Sequence, residues 1–86
     1  MYNVLYHKDI EKRLLKLPAK VSESFRDAVL LLQKNPFPPH PKIKKLHKPL
    51  IGYRYKMYPF RVSYTINTET KTVYIYDFFH RGRGYR

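Results

Sequence analysis

The sequence contains no cysteine, which excludes disulfide bonds and thiolate metal sites and permits a reducing compartment. No apolar run approaches the roughly 20 residues that a membrane-spanning helix needs, and the N-terminus lacks the apolar core of a signal peptide. The histidines have no spacing that indicates a metal site, and no acidic cluster accompanies them. We therefore expect a cytoplasmic protein with no membrane partner, no metal and no cofactor.

Carboxylates are missing from a long central stretch. Between Asp27 and Glu69 there is no Asp or Glu. The same stretch contains eight basic residues: Lys34, Lys42, Lys44, Lys45, Lys48, Arg54, Lys56 and Arg61. The net charge of +12 over 86 residues makes the compact state repel itself, which indicates an anionic partner. Nucleic acid and an acidic protein are the leading candidates, because no long amphipathic helix collects the basic residues for a membrane surface.

Hydrophobic spacing predicts a β-α-α-β-β-β order in one domain spanning residues 1–86. Residues 2–6 alternate as a strand, a helix capped by Asp9 follows, and residues 18–34 keep helical spacing. After a proline-dense linker, strands are predicted at residues 44–58, 60–67 and 72–79. The fold class is therefore α+β, with an N-terminal helical hairpin packed on a small, twisted antiparallel sheet.

Cations and aromatic rings alternate in residues 53–61. In a strand Tyr53, Tyr55 and Met57 share one face, and Arg54, Lys56 and Tyr58 share the other: a basic surface on an apolar one. Arg61, on the next strand, can grip a phosphate with two parallel hydrogen bonds. A solvated strand face is the better explanation of one isolated arginine, but three converging cations repel one another unless an anion is bound.

A second basic group follows the last predicted strand. Arg81, Arg83 and Tyr85 form either a disordered basic tail or part of a site, since the intervening glycines allow sharp turns. His80 is either a general acid or base, or a packed or solvated imidazole. The remaining cations predict contacts that position a polyanion: Lys42, Lys44, Lys45, Lys48, Arg83 and Arg86.

Three stretches, in this order, resemble the RelE/ParE superfamily of toxin–antitoxin toxins over essentially the whole chain. They are Lys45-Leu46, then residues 53–64 with YRYK leading to FRVSY, then His80-Arg81 followed by Tyr85. The RelE-like branch implies a metal-independent endoribonuclease that cuts mRNA in the ribosomal decoding site. It also implies an acidic, RelB-like antitoxin that wraps the toxin, in a complex that forms a higher-order heteromer on operator DNA.

The resemblance also implies site residues. The matching positions are Arg54, Lys56, Arg61, Arg81 and Tyr85. In such an enzyme the 2′-hydroxyl attacks the adjacent phosphate and the 5′-oxygen leaves. Arg61 suits charge stabilisation, and crowding by cations favours a neutral Lys56 that can act as the base. Tyr85 is the rival base, and Arg81 or His80 is the proton donor.

One departure from the family pattern affects this site. The usual Gly-Asp-Tyr-Arg is here Tyr-Pro-Phe-Arg at residues 58–61, which removes an acid beside the site and leaves lysine and tyrosine as candidate bases. Two other functions remain open from the sequence. One is a ParE-like inhibitor of DNA gyrase, and the other is a non-catalytic basic module that binds RNA or ribosomes.

Overall fold

Two helices pack on one face of a five-stranded sheet. The computed structural model describes residues 1–82. The elements follow one another as β1 (Asn3–Tyr6), α1 (Lys8–Leu15), α2 (Ala19–Lys34), β2 (Ile43–Lys45), β3 (Tyr53–Met57), β4 (Phe60–Asn67) and β5 (Thr72–His80). The predicted α+β class, with a strand and then a helical hairpin ahead of the remaining strands, is confirmed.

The strand predicted at residues 44–58 is divided into β2 and β3 by a loop. The backbone N–H of Leu46 donates to the carbonyl of Gly52 at 2.9 Å, and Gly52 has φ 85°. A Cβ at this glycine would lie 2.1 Å from the carbonyl oxygen of Tyr64, so only glycine fits. The apolar pair Leu50-Ile51 continues the hydrophobic pattern through this loop, which is why the sequence pattern does not reveal the turn.

The strand order is β1-β5-β4-β3-β2. Neighbouring strands are antiparallel except for β1, which runs parallel to β5, so the sheet is mixed rather than antiparallel throughout. A parallel pair needs a long crossover connection, and the hairpin of α1 and α2 begins that connection on one face of the sheet. The guanidinium of Arg13 on α1 also donates to the carbonyl of Phe78, which ties this helix to β5.

The helices begin where local hydrogen bonds allow. His7, rather than Asp9, caps α1, because its Nδ1 accepts from the backbone N–H of Asp9 at 3.1 Å. Pro18 precedes α2, which ends at Asn35 as predicted. Neither helix within residues 1–82 has both the length and the apolar character that a bilayer crossing requires.

The core lies between the helices and one face of the sheet. Its buried residues are Ile10, Leu14, Phe25, Ala28, Leu32, Ile43, Tyr55, Met57, Val62, Tyr64, Val73, Ile75 and Phe78. The helical set is the one that 3.6-residue spacing predicts, and the strand set follows the alternation of β3, β4 and β5. The opposite face of the sheet carries no helix within residues 1–82, and we call it the open face.

The buried phenol of Tyr64 makes the fold sensitive to alkali. It donates to the carbonyl of Pro36 at 2.7 Å, and burial, followed by the nearby phenols of Tyr53 and Tyr55, raises the pKa of Tyr64 well above its ordinary value. The unfolded chain ionises this phenol near pH ~10, so stability is intact below that pH and falls above it. Urea unfolding measured as the pH rises should show this loss. Above that pH, Tyr64→Phe should reduce the slope of the free energy of unfolding against pH by up to about 1.4 kcal/mol per pH unit. A slope equal to that of the wild-type protein would contradict this assignment.

Candidate active site

Strand register brings four cations together on the open face. Lys56 on β3 is the direct partner of Arg61 on β4, and Lys44 on β2 is the direct partner of Arg54 on β3. Side chains paired in this way have Cβ atoms about 4.5–5.5 Å apart, and like charges so placed are destabilising. Two such pairs side by side lower the stability of the fold. Because this arrangement does not help folding, it indicates a surface that binds an anion.

These cations line a cleft of about 230 Å³, which we call the basic cleft. The lining residues are Pro41, Lys42, Ile43, Lys44, Arg54, Lys56 and Arg61. Within residues 1–82, neither Lys56 nor Arg61 forms an ion pair, and the buried Nε of Arg61 has no hydrogen-bond partner. A buried donor without an acceptor costs free energy, and a bound phosphate oxygen would remove that cost.

The open face also positions Arg54. Its guanidinium carbon lies 5.2 Å from the ring centroid of Phe79 on β5, a cation–π contact. To reach β5 from β3 the side chain passes over β4, where Ser63 is only 2% exposed although it faces away from the core. Sequence reasoning missed Phe79 and Ser63. The alternation of β5 placed Phe79 on this face, but only the strand order shows that Arg54 reaches it.

Arg81 lies at the end of the sheet beside the turn between β3 and β4. Its backbone N–H donates to the carbonyl of Pro59 at 2.9 Å, and its guanidinium carbon lies 5.4 Å from the ring centroid of Tyr58. The Lys56–Arg61 pair is two residues from this turn, since the pair Met57–Phe60 lies between them. The structure therefore brings Arg81 to the end of the sheet where the basic cleft lies.

His80 faces the other way. It is in register with Phe60, and their rings meet edge to face at 5.4 Å, on the side of the sheet that carries the helices. Its Nδ1 accepts a hydrogen bond from the backbone N–H of Gly82 at 3.2 Å. Arg61 and Phe79, the next pair along the ladder, point to the open face. His80 is thus separated from the basic cleft by the sheet, and it takes no part in the mechanism proposed below.

The predicted lysines divide between two faces. Lys42 and Lys44 line the basic cleft, and the carbonyl of Lys42 accepts from the backbone N–H of Lys56 at 2.8 Å. Lys45 is in register with Tyr53 and so points to the helix-bearing side, and Lys48 lies exposed in the loop after β2. The remaining predicted residues, Arg83, Tyr85 and Arg86, lie outside the described residues.

One carboxylate approaches the site from a distant part of the chain. Asp27 on α2 shares with Lys56 and Tyr55 the lining of a second cavity, of about 310 Å³. Burial raises the pKa of Tyr55, and the charge of Asp27 raises it further. Asp27 forms no ion pair within residues 1–82. No sequence spacing relates Asp27 to β3, so only the packing of α2 on the sheet reveals this neighbour.

Solved structures of toxin–antitoxin complexes share this fold. The sequence is 30% identical to that of a chain of the archaeal RelE–RelB complex from Pyrococcus horikoshii OT3, with a TM-score of 0.81 over 96% of this chain and 98% of that one. It is 26% identical to a chain of the toxin–antitoxin complex RelBE2 from Mycobacterium tuberculosis, with a TM-score of 0.77 over 93% and 98%. A mutant of E. coli RelE in complex with an antitoxin RelBc peptide, 16% identical, shares the fold alone, with a TM-score of 0.57 over 90% and 80%.

A family model also matches the sequence. The model of a family described as "ParE toxin of type II toxin-antitoxin system, parDE" matches residues 4–85. No curated protein matches the chain. Because the family model and the structural relatives each cover nearly the whole chain, this protein belongs to the RelE/ParE superfamily of toxins of type II toxin–antitoxin systems.

Proposed function

We propose that this toxin is a RelE-like, ribosome-dependent endoribonuclease that cleaves mRNA and so inhibits translation. The observation that carries the proposal is the direct pairing of Lys56 with Arg61 in the basic cleft, beside Arg54. A protein needing charge only for solubility would gain nothing by placing like charges opposite each other. A phosphodiester that reacts by gaining negative charge is stabilised by this arrangement.

Each proposed step in the reaction has a residue suited to it. Lys56 takes the proton of the 2′-hydroxyl, whose oxygen then forms a bond to the adjacent phosphorus. Arg61 stabilises the extra negative charge on the phosphate oxygens through paired hydrogen bonds. The bond from phosphorus to the 5′-oxygen breaks, the guanidinium of Arg81 stabilises the negative charge on this oxygen by donating a hydrogen bond, and water supplies the proton that the oxygen takes up. The products are a 2′,3′-cyclic phosphate and a 5′-hydroxyl.

The ribosome supplies the positioning in this proposal. A cleft of about 230 Å³ has room for one phosphate and the groups bonded to it, but not for an extended RNA. Holding the RNA in a reactive geometry lowers the barrier by as much as the chemical groups do, because it removes the entropy cost of bringing the atoms together. The decoding site would therefore provide the geometry, and the basic cleft the charge and the base.

The partner that silences such a toxin would be an acidic, RelB-like antitoxin that wraps around it. Two structural relatives, the RelE–RelB complex from Pyrococcus horikoshii OT3 and the RelBE2 complex from Mycobacterium tuberculosis, are toxin–antitoxin complexes. A net charge of +12 accelerates encounter with an acidic partner and would be neutralised by it. The complex would assemble further, as a higher-order heteromer on operator DNA.

The second candidate function is inhibition of DNA gyrase. It is favoured by one observation, that the matching family model is described as a ParE toxin. A gyrase inhibitor acts by binding, so it needs no base opposite Arg61. The pairing of Lys56 with Arg61 is therefore better explained by cleavage than by gyrase binding.

Primer extension on mRNA after induced expression separates the two functions. We expect discrete cuts within translated reading frames, in phase with codons, and none in untranslated RNA. A reporter gene that responds to DNA damage should stay silent when the toxin is expressed. DNA-damage signalling without mRNA cuts would contradict the proposed function and establish the second one. Salt-dependent binding to ribosomes with no cuts would leave only a binding module.

A further inference from the structure

Two tyrosines extend the open face beyond the basic cleft. Tyr74 and Tyr76 on β5 are 41% and 37% exposed, although large aromatic rings are usually more buried than this. Two residues apart on one strand, they point to the same face and lie about 7 Å from each other. Tyr74 is in register with Leu5 on β1 and with Thr65 on β4, so its ring stands over the centre of this half of the sheet.

The ring of Tyr76 is held in place across the sheet. Its hydroxyl donates to the carbonyl of Ile51, in the loop before β3, at 2.7 Å. The side chain must therefore cross β4, and the hydrogen bond at its tip restrains the ring over the sheet surface. Gly52, which follows this carbonyl, has the left-handed conformation and the close approach to β4 that the loop requires. An ordered ring loses little entropy when a flat ligand stacks on it.

This pair of rings continues directly from the basic cleft. Ser63 pairs with Arg54 on one side and with Asp77 on the other, and a register shift makes Tyr76 the extra residue beside Asp77. Arg54, which crosses β4 at Ser63, and Tyr76, which crosses it one position along, are thus neighbours on the open face. Phosphate-binding cations and exposed rings form one continuous surface.

We propose that Tyr74 and Tyr76 are a base-stacking subsite for unpaired nucleotides of the RNA whose phosphate lies in the basic cleft. The inference rests on the proposed function, and it adds where the bases of the substrate lie. A sheet that stacks bases on aromatic rings and holds the backbone with adjacent cations is a common way to bind single-stranded RNA. Stacking does not distinguish one base from another, so the subsite would bind any codon.

The charges beside the rings favour one orientation of the RNA. On the β1 side, Tyr74 and Tyr76 share a cavity of about 210 Å³ with the carboxylates of Asp9 and Asp77, and with His7 and Arg13. These carboxylates repel phosphates, which orients the backbone towards the basic cleft and leaves the bases over the rings. They would also repel an acidic partner placed on the same rings.

Fluorescence anisotropy with two labelled 2′-O-methyl oligoribonucleotides, one intact and one with abasic sites, tests the subsite without cleavage. The full-length wild-type protein should bind the intact oligonucleotide about 5-fold or more tightly for each base stacked. Tyr74→Leu/Tyr76→Leu should bind both oligonucleotides equally, with an unchanged dependence on salt. Tyr74→Phe, which keeps the ring, should retain the preference, and so should Leu30→Ala on the exposed side of α2.

A double leucine variant that still prefers the intact oligonucleotide overturns the subsite, as does a wild-type protein with no preference. Loss of antitoxin capture by that variant, with RNA binding intact, also overturns it, since the rings would then be a protein surface. The test is separable from the proposed function. Arg61→Ala should keep the preference for bases while mRNA cleavage is lost. A wild-type protein with the preference but without mRNA cuts supports the subsite and contradicts only the proposed function.

Discussion

Replacing Arg61 with alanine is expected to lower the rate of mRNA cleavage on programmed ribosomes by about 100- to 1,000-fold, the usual cost of removing one donor that stabilises developing negative charge. Arg61 is the only residue of the basic cleft, within residues 1–82, on the central strand β4, directly opposite Lys56. Arg61→Lys should recover little of the rate, because an ammonium cannot make the two parallel hydrogen bonds of a guanidinium. Single-turnover cleavage of an mRNA in the ribosomal A site measures the change.

The fold should survive this substitution. Removing Arg61 relieves the repulsion with Lys56 and eliminates a buried Nε that has no partner within residues 1–82, which offsets the lost packing of its side chain. We therefore expect the free energy of unfolding to change by less than about 1 kcal/mol, as for most surface substitutions. Arg26→Ala is the matched control, because Arg26 lies exposed on α2. An Arg61→Ala protein that cleaves as fast as Arg26→Ala would eliminate Arg61 from the active site.

Substitution of Lys56 should lower the rate of mRNA cleavage by a similar or larger factor. If Lys56 takes the proton of the 2′-hydroxyl, Lys56→Met should reduce the cleavage rate by about 100- to 10,000-fold, the range for removing a general base. Lys56→Arg is the decisive variant. It keeps the positive charge opposite Arg61 but cannot release a proton at physiological pH, so a base at this position predicts that Lys56→Arg is as inactive as Lys56→Met.

Lys44 provides the contrast for Lys56. It lines the same cleft on the neighbouring strand, opposite Arg54, and is proposed only to position the phosphate backbone. Lys44→Ala should weaken the binding of RNA and reduce its dependence on salt, while the rate at saturation stays near that of the wild-type protein. Substantial cleavage by Lys56→Arg would show that Lys56 supplies only charge, and Tyr85 would then be the base to test.

The fold was largely predictable because its signals are local. The spacing of Phe25, Ala28 and Leu32 marks the buried side of α2 whatever that side packs against, and Asn35-Pro36 ends the helix by removing a backbone donor. The cap of α1 was predicted two residues too late, at Asp9 rather than His7. An Asp is a stronger cap than a His in general, but the imidazole of His7 accepts from the N–H of Asp9.

The sheet was harder to predict than the helices. The loop between β2 and β3 was missed because Leu50 and Ile51 keep the strand pattern, although Pro49 and Gly52 in the same loop are residues that interrupt strands. The parallel pairing of β1 with β5 depends on the direction in which the chain returns to the sheet after the helices, and no residue in β1 indicates that direction.

The sequence by itself determined the charge of this protein, the faces of its helices and strands, and the presence of cations without nearby carboxylates in the chain. These properties follow from composition and from the periods of single elements, so they need no knowledge of neighbours. Only the tertiary structure decided which cations meet. Strand register set Lys56 opposite Arg61, strand order brought Phe79 beneath Arg54, and the alternation of β5 turned His80 to the far side of the sheet. Contacts between strands depend on register and order, and a shift of one residue would have reversed each of these outcomes.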